Sequence, residues 1–273
     1  MTEQVRRTQM EQLYPALLDA HLEGNYQILD QSLRPRPIGM LVDIAGQTGI
    51  GPDSWVLDVG CGRGDHARSL ARRHGCQVLG LDLATSNLTR AETIAREEGL
   101  QAQVLFGQAD VESLPLADGA VDLVFCRDML LHVPNLEKGL AECGRVLKLG
   151  GRMIVLATLA GDLLSQEEAE ALFTPLGIVS RNLSRQTLES AYGAAGLTIG
   201  AAEVIGGERL EHIEEEYGFY SRELLRLSRM RRKPERYLPH LGRRRYELAL
   251  ALYTLSIYLL IGKLLDIVYW LEK

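Results

Sequence analysis

The apolar positions fall into two alternating rhythms. Short apolar runs at 55–59, 77–82, 102–107, 121–126 and 152–158 are bounded by Gly, Asp or Asn and have strand length. Between them, 66–74, 86–98 and 136–147 carry apolar residues at helical spacing. A further helix is predicted at 187–195, a strand at 197–204 and a final strand at 267–271. Strands that are apolar throughout and alternate with helices imply a doubly wound, mostly parallel α/β sheet covered by helices on both faces.

Two segments stand outside that alternation. Residues 1–33 suggest one or two helices, broken at Gly24-Asn25, that could cap the fold. Arg34-Pro35-Arg36-Pro37 is a stiff boundary before a helix at 38–47. The second segment, 208–262, begins acidic from Glu208 to Glu216, turns basic from Arg229 to Arg245, and ends in the apolar run 248–262, which reads as a buried helix. The expected organisation is therefore an N-terminal helical cap at 1–33, a nucleotide-binding core at 34–207, a helical insertion at 208–262 forming a lid, and a final core strand at 263–273.

Composition narrows the class. The 273 residues are 46% hydrophobic, enough for one large core with an insertion. A net charge of −6 argues against holding nucleic acid by phosphate neutralisation. Cys61, Cys76, Cys126 and Cys143 form no Cys-x-x-Cys pair, so reduced thiols and a cytoplasmic location are expected. The polar start shows no signal segment, and 248–262 is too short and too interrupted to span a bilayer, so no membrane span is expected. A homo-oligomer is compatible with all of this.

Chemistry concentrates where the first strand ends. Val56-Leu57-Asp58-Val59 runs into Gly60-Cys61-Gly62-Arg63-Gly64, and a helix follows. Glycines serve where a chain must turn with positive φ or where a ligand must approach the backbone closely. Asp82 closes the second strand about twenty residues later, the spacing that presents a carboxylate to a ribose diol. Asp65 occupies the place where a dinucleotide fingerprint would have its third glycine, which disfavours a nicotinamide-dependent oxidoreductase.

The same order continues with Ala109-Asp110-Val111, a strand end from Asp122 to His132, and Arg145-Val146-Leu147-Lys148-Leu149-Gly150-Gly151. This succession, over residues 50–205, resembles the class I S-adenosylmethionine-dependent methyltransferases. It is similar to their small-molecule branch, with the sarcosine/dimethylglycine, quinone-precursor and natural-product enzymes. The resemblance implies a seven-stranded Rossmann-like sheet with an antiparallel C-terminal strand, S-adenosylmethionine as cofactor and S-adenosylhomocysteine as product.

Carried over position by position, the resemblance gives Asp58 and the backbone of Gly60, Cys61, Gly62 and Gly64 to the methionine end of the cofactor. Asp82 would accept the ribose hydroxyls, and Asp110 and the Val111 amide would meet the adenine edge. Leu83 would cover the adenine ring, and Arg127 would lie beside the cofactor through its carbonyl. His132, where the family often has a histidine pair and this chain has Leu131-His132, is the candidate base, with helix capping or packing as the plainer alternative. Tyr14 and Tyr26 could close over cofactor or acceptor, or simply pack. His66, His74 and His240 read as surface or helix-face residues.

The expected partner is a small organic acceptor, methylated on nitrogen, oxygen or carbon. The acidic run 208–216 would suit a cationic amine, although such runs are usually solvated helix faces. The basic run 229–245 lacks interleaved aromatics apart from Tyr237, and Cys126-Arg127-Asp128-Met129 stands where base methyltransferases of nucleic acid carry Asn/Asp-Pro-Pro-Tyr, so RNA is a weaker substrate. A cofactor-binding scaffold or cyclase that transfers no methyl would share the glycine and aspartate motifs.

Overall fold

The computed structural model describes residues 7–13, 36, 37 and 39–273. The chain divides into two units, Met1–Pro35, in which 7–13 are helical, and Arg36–Lys273. Tyr14 and Tyr26 lie outside the described residues.

The second unit is built on a seven-stranded sheet in the order β3-β2-β1-β4-β5-β7-β6. Its strands are β1 (Trp55–Val59), β2 (Gln77–Asp82), β3 (Val104–Gln108), β4 (Val121–Arg127), β5 (Leu147–Ala160), β6 (Thr198–Gly206) and β7 (Leu264–Glu272). β1 to β5 pair in parallel, and β7 runs antiparallel between β5 and β6. The doubly wound sheet with an antiparallel strand near the C-terminus is thus as the sequence predicts.

Apolar residues leave each strand on both faces, so two cores form. One face carries α1 (Met40–Gly46) and α2 (Asp65–His74), with Leu41, Ala67 and Leu70 packed on Val56, Leu123 and Ile154. The other carries α4 (Leu136–Val146) and α6 (Arg185–Ala194), with Leu140, Cys143 and Leu188 packed on Val124, Val155 and Tyr269. α3 (Thr85–Glu97) links β2 to β3. All four cysteines are buried free thiols, and burial pushes Cys76 up to about 11 and Cys143 up to about 12.

Local signals set the helix ends. The Asn135 side chain accepts from the Lys138 amide at the start of α4, and Ser184 does the same for Thr187 at the start of α6. Gly75, in the left-handed region at φ 73°, ends α2 behind Arg72, Arg73 and His74, cations suited to a helix C-terminus.

Three expectations need correction. β5 begins five residues before 152, where Leu147 pairs with Val121 of β4, and β7 begins three before 267, because its pairing with β5 runs out to Ala160↔Leu264. The stretch 159–186, to which the apolar pattern assigns no element, holds α5 (Gln166–Phe173), started by a reciprocal Ser165–Glu168 capping box. The run 248–262 belongs to α10 (Arg243–Leu260), which buries only one side, including Ala251 and Leu259, while Leu252 is 55% exposed.

The segment between β6 and β7 is built of helices: α7 (Glu208–Tyr217), α8 (Phe219–Arg232), α9 (Pro234–Leu241) and α10. Leu210, Tyr220, Ala251 and Leu259 form a third cluster with Leu131, Phe173 and Leu183, which anchors the insertion beside the carboxyl ends of β4 and β5. Among the described residues no helix is long and apolar enough to cross a membrane.

Candidate functional site

The turn after β1 is stitched to the neighbouring strand. The amides of Gly60 and Cys61 both donate to the Leu81 carbonyl, at 2.8 and 3.0 Å. Gly60 sits at φ 68°, and a β-carbon there would lie 2.3 Å from Cγ of Met129, so both conformation and space demand glycine. Gly62, at φ 54°, opens onto free space, where a ligand can meet bare backbone. Gly64, the left-handed residue before α2, packs under the Phe106 ring.

Asp82 is fixed by this turn. One carboxylate oxygen accepts from the Gly62 amide and the other from the Ala84 amide, each at 2.8 Å. Each oxygen keeps a further lone pair, enough for two hydroxyl donors. A cavity of about 370 Å³ opens beside it, lined by Gly60, Asp82, Leu83, Asp110, Val111, Met129 and His132. Leu83 is 63% exposed at its edge, an apolar side chain free to cover a flat ring. Oδ1 of Asp110 accepts from the Glu112 amide at 2.9 Å, which holds the carboxylate in place.

Asp58 is the least satisfied acid at this turn. It is buried, and its Oδ2 has no hydrogen-bond partner among the described residues. Burial is the largest cause pushing its carboxyl up to about 7, and the nearby Asp82 charge adds to it. A buried, under-satisfied carboxylate beside a glycine turn suits a ligand ammonium. With Asp82 for a diol, Asp110 for an exocyclic amine and Leu83 for a ring face, the residues present match the functional groups of S-adenosylmethionine.

His132 lines the same cavity and is exposed at its rim. Its Nδ1 lies 3.2 Å from the Gly177 carbonyl. A carbonyl only accepts, so the proton is on Nδ1 and the Nε2 lone pair is left available.

A second polar cluster lies where β4, β5 and β7 meet, and the sequence reading missed it. Asp128 follows β4 at φ 55°, the single non-glycine residue with positive φ among those described. The Thr158 hydroxyl stands 3.2 Å from Oδ1 of Asp128 and 2.7 Å from Oδ1 of Asp266. One hydroxyl proton serves only one of the two carboxylates at a time. Asp266 is fully buried, and burial followed by the Asp128 charge raises its pKa.

Two arginines balance these acids. Arg209 donates to Oδ2 of Asp266 at 3.2 Å, while its Nε is buried without a partner. Arg127 donates to Asp128 at 3.1 Å and lies 3.2 Å from Nε2 of His66. His66 is no free surface residue: its ring stacks on Phe125 at 5.4 Å, and burial pushes its pKa down to about 4. His66, Arg127 and Arg209 face a hollow of about 640 Å³ beside α1 and α2. A usable signal was present, because Asp266 is a lone carboxylate inside the apolar run Leu264-Leu265-Asp266-Ile267-Val268.

Comparison with known proteins points the same way. Residues 57–155 match the family described as "Methyltransferase domain". The chain is 33% identical over 184 residues to a sarcosine/dimethylglycine N-methyltransferase of Halorhodospira halochloris, covering 64% of this chain and 61% of that one. It is 32% identical over 167 residues to a sterol 24-C-methyltransferase of Gibberella zeae, covering 61% and 44%. The chain therefore spans about three fifths of the length of the first relative and less than half of the second.

Among solved structures, the [4+2]-cyclase SpnF superposes with a TM-score of 0.67 at 24% identity, covering 85% of this chain and 79% of that one. A geranyl diphosphate C-methyltransferase from Streptomyces coelicolor A3(2) gives 0.61 at 18%, covering 84% and 79%. Sheet order, glycine turn and the three aspartates at the strand ends agree with that match, so residues 57–155 form a methyltransferase domain set in the seven-stranded sheet.

Proposed function

We propose that this chain methylates a small organic acceptor, on nitrogen, oxygen or carbon, with the acceptor held at the Asp128–Thr158–Asp266 end of the sheet. The observation that carries this reading is the adjacency of two differently built sites. A cavity edged by Gly60, Asp82 and Asp110 matches the cofactor, and the next strand ends place a hydrogen-bonded carboxylate pair beside it. Ligands of doubly wound sheets sit at these carboxyl ends.

When bound, S-adenosylmethionine supplies an electrophilic methyl group on a sulfonium leaving group. The chain's own work is placement: an acceptor atom has to stand about 3–3.5 Å from that carbon and in line with the bond that breaks. The new bond forms from the acceptor's electron pair, and the pair of the broken bond stays on sulfur in S-adenosylhomocysteine. His132, with its Nε2 lone pair at the cavity rim, takes up a proton from an acceptor that must lose one. Asp128, half-buried, offers hydrogen-bond acceptors to a cationic or hydroxylated acceptor, while the buried Asp266 holds Thr158 and Arg209 behind it. Helices α7–α10 form the lid over this end.

The named relatives act on amine nitrogen in one case and sterol carbon in the other, so the shared core does not choose the acceptor. A second reading, binding without transfer, is favoured by the cyclase among the structural neighbours. Incubating the protein with S-adenosylmethionine and a panel of amines, phenols, quinols and sterols, with mass spectrometry for S-adenosylhomocysteine, separates the two. Product with one acceptor class supports transfer, whereas tight cofactor binding without product from any class supports the scaffold. His132→Ala should lower turnover about 100-fold with cofactor affinity unchanged, and unaltered turnover would make His132 a packing residue.

A further inference from the structure

The charge on this chain is segregated. The whole carries −6, yet between Arg222 and Arg245 ten arginines and lysines stand against two glutamates, Glu223 and Glu235. Glu223 is buried, so it does little to offset the cations outside. On α8, Tyr220, Leu227 and Met230 form the buried side, while Arg222, Leu225, Arg229 and Arg232 make an exposed stripe at i, i+3, i+7 and i+10. Arg229, Arg232 and Arg236 make no salt bridge among the described residues. Where α8 turns into α9, Arg229, Arg232, Lys233, Arg236 and Tyr237 surround a hollow of about 520 Å³.

Apolar side chains are set among these cations. Leu225, within the stripe, is 52% exposed, and Leu241, just before Arg243-Arg244-Arg245, is 36% exposed. Nucleic-acid grooves interleave cations with aromatic platforms, whereas here the exposed Tyr217 and Phe219 precede the basic run and only the half-buried Tyr237 lies within it. Exposed leucines between arginines on a helix instead match the boundary between headgroups and acyl chains.

We infer that the outer face of α8 and α9, with the start of α10, docks the protein on an anionic phospholipid surface, the hollow at Arg229–Tyr237 taking a lipid phosphate. The rest of the chain is net negative and is repelled by such a surface, so the contact also fixes the protein's orientation. Among the described residues no helix is long and apolar enough to cross a bilayer, so the contact is interfacial. The inference is independent of which acceptor is methylated.

Vesicle co-sedimentation of the full chain tests it. The protein should pellet with phosphatidylcholine vesicles containing 30 mol% phosphatidylglycerol at about 50 mM NaCl, detach at about 500 mM, and ignore pure phosphatidylcholine. A variant combining Arg229→Ser, Arg232→Ser, Lys233→Ser and Arg236→Ser should lower partitioning at least tenfold with an unchanged thermal midpoint. Leu225→Ser with Leu241→Ser, a milder pair, should lower it severalfold. Failure to pellet with the anionic vesicles, or variants that partition like the wild type, would overturn the proposal. So would preferential retention by single-stranded RNA. Binding of inorganic phosphate in the hollow by a chain that does not pellet with the anionic vesicles would assign the hollow to free phosphate and reject the membrane contact.

Discussion

The two halves of the carboxyl edge of the sheet are built by different means. At β1 to β3 the site is mostly backbone: a glycine turn bonded to Leu81, and one carboxylate, Asp82, clamped by two amides. At β4, β5 and β7 it is side chain on side chain, Asp128, Thr158, Asp266 and Arg209, drawn from four separate elements. On the proposed function the first arrangement holds S-adenosylmethionine, with backbone that the turn itself fixes. The second would meet the acceptor, and its members come from outside the glycine turn.

If that division holds, variants on the cofactor side move binding and variants on the acceptor side move turnover. Gly60→Val should have the largest effect. It puts a branched residue at positive φ, costing about 1–2 kcal/mol, and drives it into Met129, costing about 1–3 kcal/mol more. Calorimetric titration with S-adenosylhomocysteine should detect no binding, and near-normal affinity would refute the assignment of the turn.

Asp82→Ala comes next. It removes a charged acceptor for the diol and frees the Gly62 and Ala84 amides, raising the cofactor Kd roughly 10- to 150-fold, from about 1.5–3 kcal/mol. Thr158→Val should leave that Kd unchanged and reduce turnover about tenfold, since it strips the hydroxyl from between two carboxylates. A Thr158 variant that lost cofactor affinity instead would erase the distinction between the halves.

The smallest effect is a pH slope. With its folded pKa raised to about 7, Asp58 is mostly neutral at pH 6 and mostly ionised at pH 8. The ligand-free protein should therefore lose stability as pH rises from about 4 to 7, where the folded state binds more protons than the unfolded one. A ligand ammonium needs the carboxylate form, so S-adenosylhomocysteine should bind about tenfold tighter at pH 8 than at pH 6. Titrations at both values check this, and Asp58→Asn should flatten the slope.

The same division explains what the sequence revealed. The cofactor half was legible because Asp58, the glycines and Asp82 lie within a single strand-turn-helix-strand unit, whose geometry fixes their spacing. Thr158 and Asp266 are 108 residues apart and become neighbours only through the antiparallel register of β5 with β7. No local rhythm carries that register. His66 illustrates a related limit, since its helix position was readable but its stacking on Phe125 and its contact with Arg127 were not.

The placement of β7 bears on how the molecule comes to be folded. β6 pairs with β7 alone, and β7 fills the gap between β5 and β6. During synthesis β6 therefore emerges with no strand to join and waits until all of 207–263 has followed. In that interval the outer edge of β5 stays open, and an unpaired strand edge invites association with other chains. Pairing over so long a separation is slow, so closure of the sheet by β7 is the step at which yield in the cell would be decided.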